Sequence, residues 1–115
     1  SRFAEAIPHY QITVLLDPQH TWAFYDMGMA YFNLGQMKNA QAALDIAEKL
    51  DSTRKVHDNR AAAAVPFYKE GIGLYKKGNY DEAVLRLQAA VTLHPTGHYY
   101  QSDLQLTLEK KKVKK

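Results

Sequence analysis

Apolar and small residues recur three and four positions apart along this chain, the spacing that keeps them on one face of a helix. The pattern predicts six helices at about residues 3–16, 21–34, 37–50, 61–77, 80–93 and 99–112. The breaks between them carry stop signals. Asp17-Pro18 ends the first helix, because the residue before proline is pushed out of helical geometry. Gly35 and Gly78 end the second and fourth, since glycine best tolerates the left-handed position after a helix. "HPTG" stops the fifth. Pro8 is tolerated best in a first turn, so the first helix is expected to begin as late as Ile7.

Three of the stretches spell one phrase. An early small residue is Ala6, Ala40 and Ala83. Four residues on stands Tyr10, Leu44 or Leu87. Three further on is Thr13, Ala47 or Ala90, and the phrase closes on Leu16, Leu50 or Leu93. The first two copies lie 34 residues apart and the last two 43 apart. A second phrase precedes the later copies: Phe24, Tyr25, Gly28, Phe32 and Gly35 match Phe67, Tyr68, Gly71, Tyr75 and Gly78. The mid-helix glycine is expected to let its partner helix approach closely.

A 34-residue unit of two helices, with aromatic, Gly, Tyr, Gly, Ala and Pro at these offsets, resembles the tetratricopeptide repeat (TPR) family. The last copy supplies Phe67, Gly71, Gly78, Tyr80, Ala83, Ala90 and Pro95; the middle copy supplies Phe24, Gly28, Tyr31, Gly35, Ala40 and Ala47. Met27 and Glu70 replace the usual Leu, Leu74 the usual Tyr, Leu44 and Leu87 the usual Phe, and Ser52 the usual Pro. The resemblance implies an all-α solenoid of helical hairpins wound as a right-handed superhelix. It divides the chain, taken as a single domain fragment, into the second helix of an incomplete repeat (3–18), a full repeat (21–51), an insert (52–63), a second full repeat (64–97), a capping helix (98–112) and a basic tail (113–115). The insert is expected either as a loop or, preferably, as an extension of the following helix with a kink near Pro66.

The resemblance also implies where function lies. The first helix of each pair would line a concave groove, exposing Trp22, Tyr25, Asp26, Met29, Phe32 and Asn33 in one repeat. In the next come Val65, Tyr68, Lys69, Ile72, Tyr75 and Lys76, followed by Tyr99, Ser102, Asp103 and Leu106 near the closing helix. A solvated groove would carry mostly charged and amide side chains. This one is rich in aromatics and Met, residue types enriched in recognition surfaces. The expectation is a non-catalytic scaffold or adaptor that binds an apolar or amphipathic peptide segment. The competing expectation is a structural or self-associating segment, its apolar surface and uncapped N-terminal face covered by adjoining repeats or a second copy. Some family members grip a peptide carboxylate with a Lys–Asn pair on this face. Here Tyr25 and Met29, or Tyr68 and Ile72, stand at those positions, and none supplies a charged donor.

Charge and composition narrow the chemistry. The chain holds 15 basic and 12 acidic residues; five Lys and one Glu sit in "EKKKVKK", so ten basic and eleven acidic residues remain for the body. A near-neutral body offers no basic face for nucleic acid. Lys110 to Lys115 could instead contact an anionic membrane, a weaker expectation than a solvated helix end favoured by the C-terminal dipole. No apolar run approaches the roughly 20 residues of a membrane span. Cysteine is absent, which removes disulfides and thiolate metal sites. His94 and His98 flank a turn, while His9, His20 and His57 sit in separate elements, so no metal or other cofactor is expected. No nucleophile elbow, phosphate-binding glycine loop or paired carboxylates suggest an enzyme. The first residue is Ser1, without an initiator Met, and a piece of a longer protein is expected.

Overall fold

The computed structural model describes residues 1–113, which form six α-helices and no strand. They are α1 (Arg2–Leu16), α2 (Thr21–Asn33), α3 (Met37–Leu50), α4 (Lys55–Lys76), α5 (Tyr80–Leu93) and α6 (Tyr100–Val113). The architecture is all-α, a helical repeat in which helices of similar pattern follow one another. Two compact units divide it, Ser1–Asp58 and the chain from Asn59 onward, with the boundary inside α4.

In the first unit α2 packs against both α1 and α3. The repeated phrase supplies the α3 side: Ala40, Leu44 and Ala47 are wholly buried. Gly28 is what allows this. A Cβ at Gly28 would lie 2.7 Å from Leu44 Cγ and 3.1 Å from its backbone nitrogen, so any larger residue would force the helices apart. In the second unit Ala83, Leu87 and Ala90 are equally buried, and a Cβ at Gly71 would stand 2.8 Å from Leu87 Cγ and Cδ2. Burial of each leucine contributes about 1.5–3 kcal/mol, and the two glycines make that burial accessible.

The helix ends follow local chemistry. Gly35 and Gly78 take φ of 79° and 80°. Beyond them Gln36 N–H donates to Tyr31 O at 2.9 Å, and Asn79 N–H to Leu74 O at 3.0 Å. Both are the six-to-one bonds of a glycine-terminated helix. The Asp51 carboxylate accepts from Thr53 N–H, the Thr53 hydroxyl and Val56 N–H at 2.9, 2.6 and 2.8 Å. Its bond to Val56 N–H satisfies a donor that the first turn of α4 would leave open.

Three sequence expectations change. α1 starts at Arg2, not near Ile7, so Pro8 lies in its interior. Ser1 caps the start, its hydroxyl accepting from Ala4 N–H at 3.2 Å. Pro8 and Ala4 are both exposed, so the carbonyl that loses its donor faces water and the proline is tolerated. The same reasoning covers α4, a single helix from Lys55 with exposed Pro66 in its interior, over exposed Ala62. Residues 55–63 are therefore helix, with residues 51–54 turning into it. Finally, α6 begins at Tyr100, one residue later than expected, because Tyr99 holds a left-handed backbone with φ 68°. On α6 the apolar stripe is led by buried Tyr100, while Leu104 and Leu108 are only half-buried. The deepest residue is Thr107, whose hydroxyl donates to the Asp103 carbonyl at 2.7 Å.

Candidate functional site

On α2 the outward face carries Trp22, Tyr25, Asp26, Met29 and Asn33. Trp22 is 39% exposed and meets half-buried Tyr25 edge-on, ring centroids 5.3 Å apart. Met29 is half-buried beside them in the helix, and Asn33 is exposed, its amide donating to the Met29 carbonyl at 2.8 Å. Partial burial pushes the Asp26 carboxyl above its ordinary range. His20 begins the helix, its Nδ1 accepting from Ala23 N–H at 3.0 Å. Phe32 departs from the sequence reading. It is buried, because it lies one turn after Gly28 on the stripe that meets α3, so it belongs to the core and not to an open face.

In the second unit α4 presents exposed Val65, Lys69 and Lys76 and half-buried Tyr68, Ile72 and Tyr75. Tyr68 is locked to α6. Its ring stacks on Tyr100 at 4.4 Å, and its hydroxyl donates a short hydrogen bond to the Asp103 carboxylate. Burial, and then this bond and the Asp103 charge, push the Tyr68 phenol up to about 12. Tyr75 packs against Tyr80 at 5.4 Å. Tyr99, expected on the closing helix, sits outside it in the preceding turn. It is 65% exposed, its ring 4.1 Å from that of His98. Ser102 and Leu106 are exposed on α6.

Sequence reasoning missed three contributors. Asp103 was placed on the recognition face, and its role as the anchor of Tyr68 was not. Gly97 is needed because a Cβ there would lie 2.7 Å from Tyr100 Cγ and displace the ring on which Tyr68 stacks. Arg60 was passed over within "NRAAAA". It is 2% exposed, and its guanidinium donates to the carbonyls of Leu93 and Thr92 at 2.7 and 3.1 Å. A lone cation leading an apolar run was the available signal.

Among the described residues no group of three or more His, Asp or Glu is placed to hold a metal, and no helix is long and apolar enough to cross a membrane. The basic stretch begins inside α6, where Lys111 pairs with Asp81 at 3.2 Å. Lys114 and Lys115 lie outside the described residues.

The chain shows no significant similarity to a curated protein. Residues 23–54 match the family model of the tetratricopeptide repeat. That segment is α2, α3 and the turn beyond, the unit in which Gly28 admits Leu44. Such repeats are typically non-catalytic and mediate protein–protein interaction. Residues 23–54 thus resemble one tetratricopeptide repeat, within six helices consistent with TPR-like repeats.

Proposed function

We propose that the chain is a non-catalytic interaction module that binds an apolar or amphipathic peptide segment on the outward face of a first helix, that of α2, serving as a scaffold, adaptor or assembly factor. The observation that carries this reading is the Trp22–Tyr25 pair. A tryptophan 39% exposed, held edge-on by a tyrosine, is a rigid aromatic surface left in contact with water. Such rings bury large area on binding at little conformational cost and dominate interface energetics. Met29 adds an adaptable neighbour. The test is binding of a Leu-rich amphipathic peptide, followed through the emission of Trp22, the one tryptophan, and independently by peptide anisotropy. The Trp22→Ala, Tyr25→Ala double variant should weaken binding by tenfold or more on the order expected of an aromatic anchor. Unchanged affinity in a monomeric, folded double variant would overturn the reading.

A second reading is favoured by α1. Ile12, Leu15 and Leu16 are 57%, 79% and 80% exposed, an apolar surface on a helix of the repeated phrase. Here the module is structural, its α1 surface covered by adjoining repeats or by a second copy of the chain. Solution mass measured across concentration separates the two. A dimer that Leu15→Glu, Leu16→Glu dissociates supports association, and a monomer at all concentrations removes the second-copy form of it.

A further inference from the structure

Five positions on α4 run along its solvent side at alternating spacings of three and four: Ala62, Val65, Lys69, Ile72 and Lys76. This is the spacing of a helix–helix seam. All but half-buried Ile72 are exposed. The other sides of α4 are occupied, by Leu87 of α5 against Gly71 and by Tyr100 and Asp103 of α6 against Tyr68. The charges on the seam are also distinctive. Glu70, beside it, is paired with Arg86 at 3.0 Å. Lys69 and Lys76 have no ion-pair or hydrogen-bond partner among the described residues. Two uncompensated cations thus alternate with two β-branched apolar side chains along one line.

We propose that this seam docks an acidic amphipathic helix of a partner protein. The inference rests on the interaction-module reading and adds the chemistry of the partner. Apolar side chains at the same spacing would pack on Val65 and Ile72, and carboxylates seven residues apart would meet Lys69 and Lys76. The geometry selects a helix over an extended peptide. The two lysines are about 10.5 Å apart along the axis at 1.5 Å per residue. Side chains on one face of a strand repeat at about 6.8 Å, so neither one nor two such steps matches that distance. A second helix matches it every seven residues, once in two turns. A phosphate-bearing surface would satisfy the lysines and leave Val65 and Ile72 without a role, which is why a protein helix is the better fit.

The experiment uses two labelled, Ala-based helical peptides with the whole chain. Both carry Leu at positions 1 and 8; one has Glu at positions 5 and 12 and the other has Lys there. The acidic peptide should bind about tenfold more tightly than the basic one, the sum expected for two exposed ion pairs, and the difference should shrink as salt rises. The Lys69→Glu, Lys76→Glu variant should keep its helical circular dichroism, because both side chains are exposed, and should reverse the preference. Equal binding of the two peptides, or an acidic preference that survives the reversal, overturns the proposal. So does binding of phosphatidylserine vesicles that the reversal abolishes while the acidic peptide is unaffected. Binding that ignores both lysines and is lost on Trp22→Ala, Tyr25→Ala overturns the seam alone. Binding indifferent to all four changes overturns the broader reading as well.

Discussion

The guanidinium of Arg60 donates through Nε to the carbonyl of Leu93 at 2.7 Å, although 33 residues separate them. Leu93 is the last residue of α5, and its carbonyl, like that of Thr92, has no donor within the helix. A buried cation placed there satisfies both and complements the negative end of the helix dipole. Arg60→Met leaves two buried carbonyls without a donor and should cost about 3 kcal/mol. Denaturant unfolding would register this as a lower midpoint. An unchanged midpoint would mean that the two bonds contribute nothing net.

The glycines separate by what faces them. Gly28→Ala and Gly71→Ala each drive a methyl into a leucine of the partner helix, and each should lose about 1–3 kcal/mol to overpacking. Gly73 lies in the same helix as Gly71 with nothing within 4 Å of a Cβ built on it. Gly73→Ala should therefore stabilise by about 0.5–1 kcal/mol, since alanine restricts the unfolded chain. Thermal melts of the three variants give the comparison. A destabilised Gly73→Ala, or a harmless Gly71→Ala, would contradict the packing described.

At high pH the chain should loosen where Tyr68 is locked. Burial, the Asp103 hydrogen bond and the Asp103 charge raise this phenol from 10.0 to about 12. The raised folded value means that the contribution is complete below about pH 10 and disappears as pH climbs through 12. An absorbance titration should contain a late tyrosine step, near pH 12. Tyr68→Phe should delete that late step, and Asp103→Asn should move it earlier. A titration with no late step in the wild type would remove the assignment.

At the acid side the start of α4 is the sensitive place. The hydroxyl of Thr53, then the N–H groups of Val56 and Thr53, hold the Asp51 carboxyl below its ordinary 3.8. A depressed folded value gives stabilisation that is present above the ordinary range and is lost as pH falls through the depressed one. Hydrogen exchange at Val56 N–H should therefore speed up relative to the helix interior in Asp51→Ala at neutral pH. Carboxyl chemical shifts of the wild type, followed against pH, should show Asp51 titrating below the ordinary 3.8.

Much of the proposed recognition face was legible as a set of positions but not as a set of roles. Trp22, Tyr25 and Met29 follow from helical spacing, and the structure leaves them open or half-open. Phe32 has the same spacing signal and is buried, because the stripe it shares with Gly28 turns toward α3. Tyr68 and Tyr99 read alike as exposed aromatics, yet one is locked by Asp103 and the other stands in a strained turn. A helical wheel assigns a direction to a side chain; it does not say which neighbour arrives in that direction.

The amino-acid order by itself determined the repeated pair of helices. Gly28 with Leu44, Gly71 with Leu87, and the stops at Gly35 and Gly78 all act over sixteen residues or fewer, where helical period and turn chemistry dictate the geometry. Only the tertiary structure decided the rest. Pro8 and Pro66 are tolerated because the carbonyls they deprive face water. Arg60 is buried because α5 ends beside it, and the Tyr68 phenol is anchored because α6 brings Asp103 to it across 35 residues. Contacts at that separation depend on how whole helices are placed, and no local period encodes them.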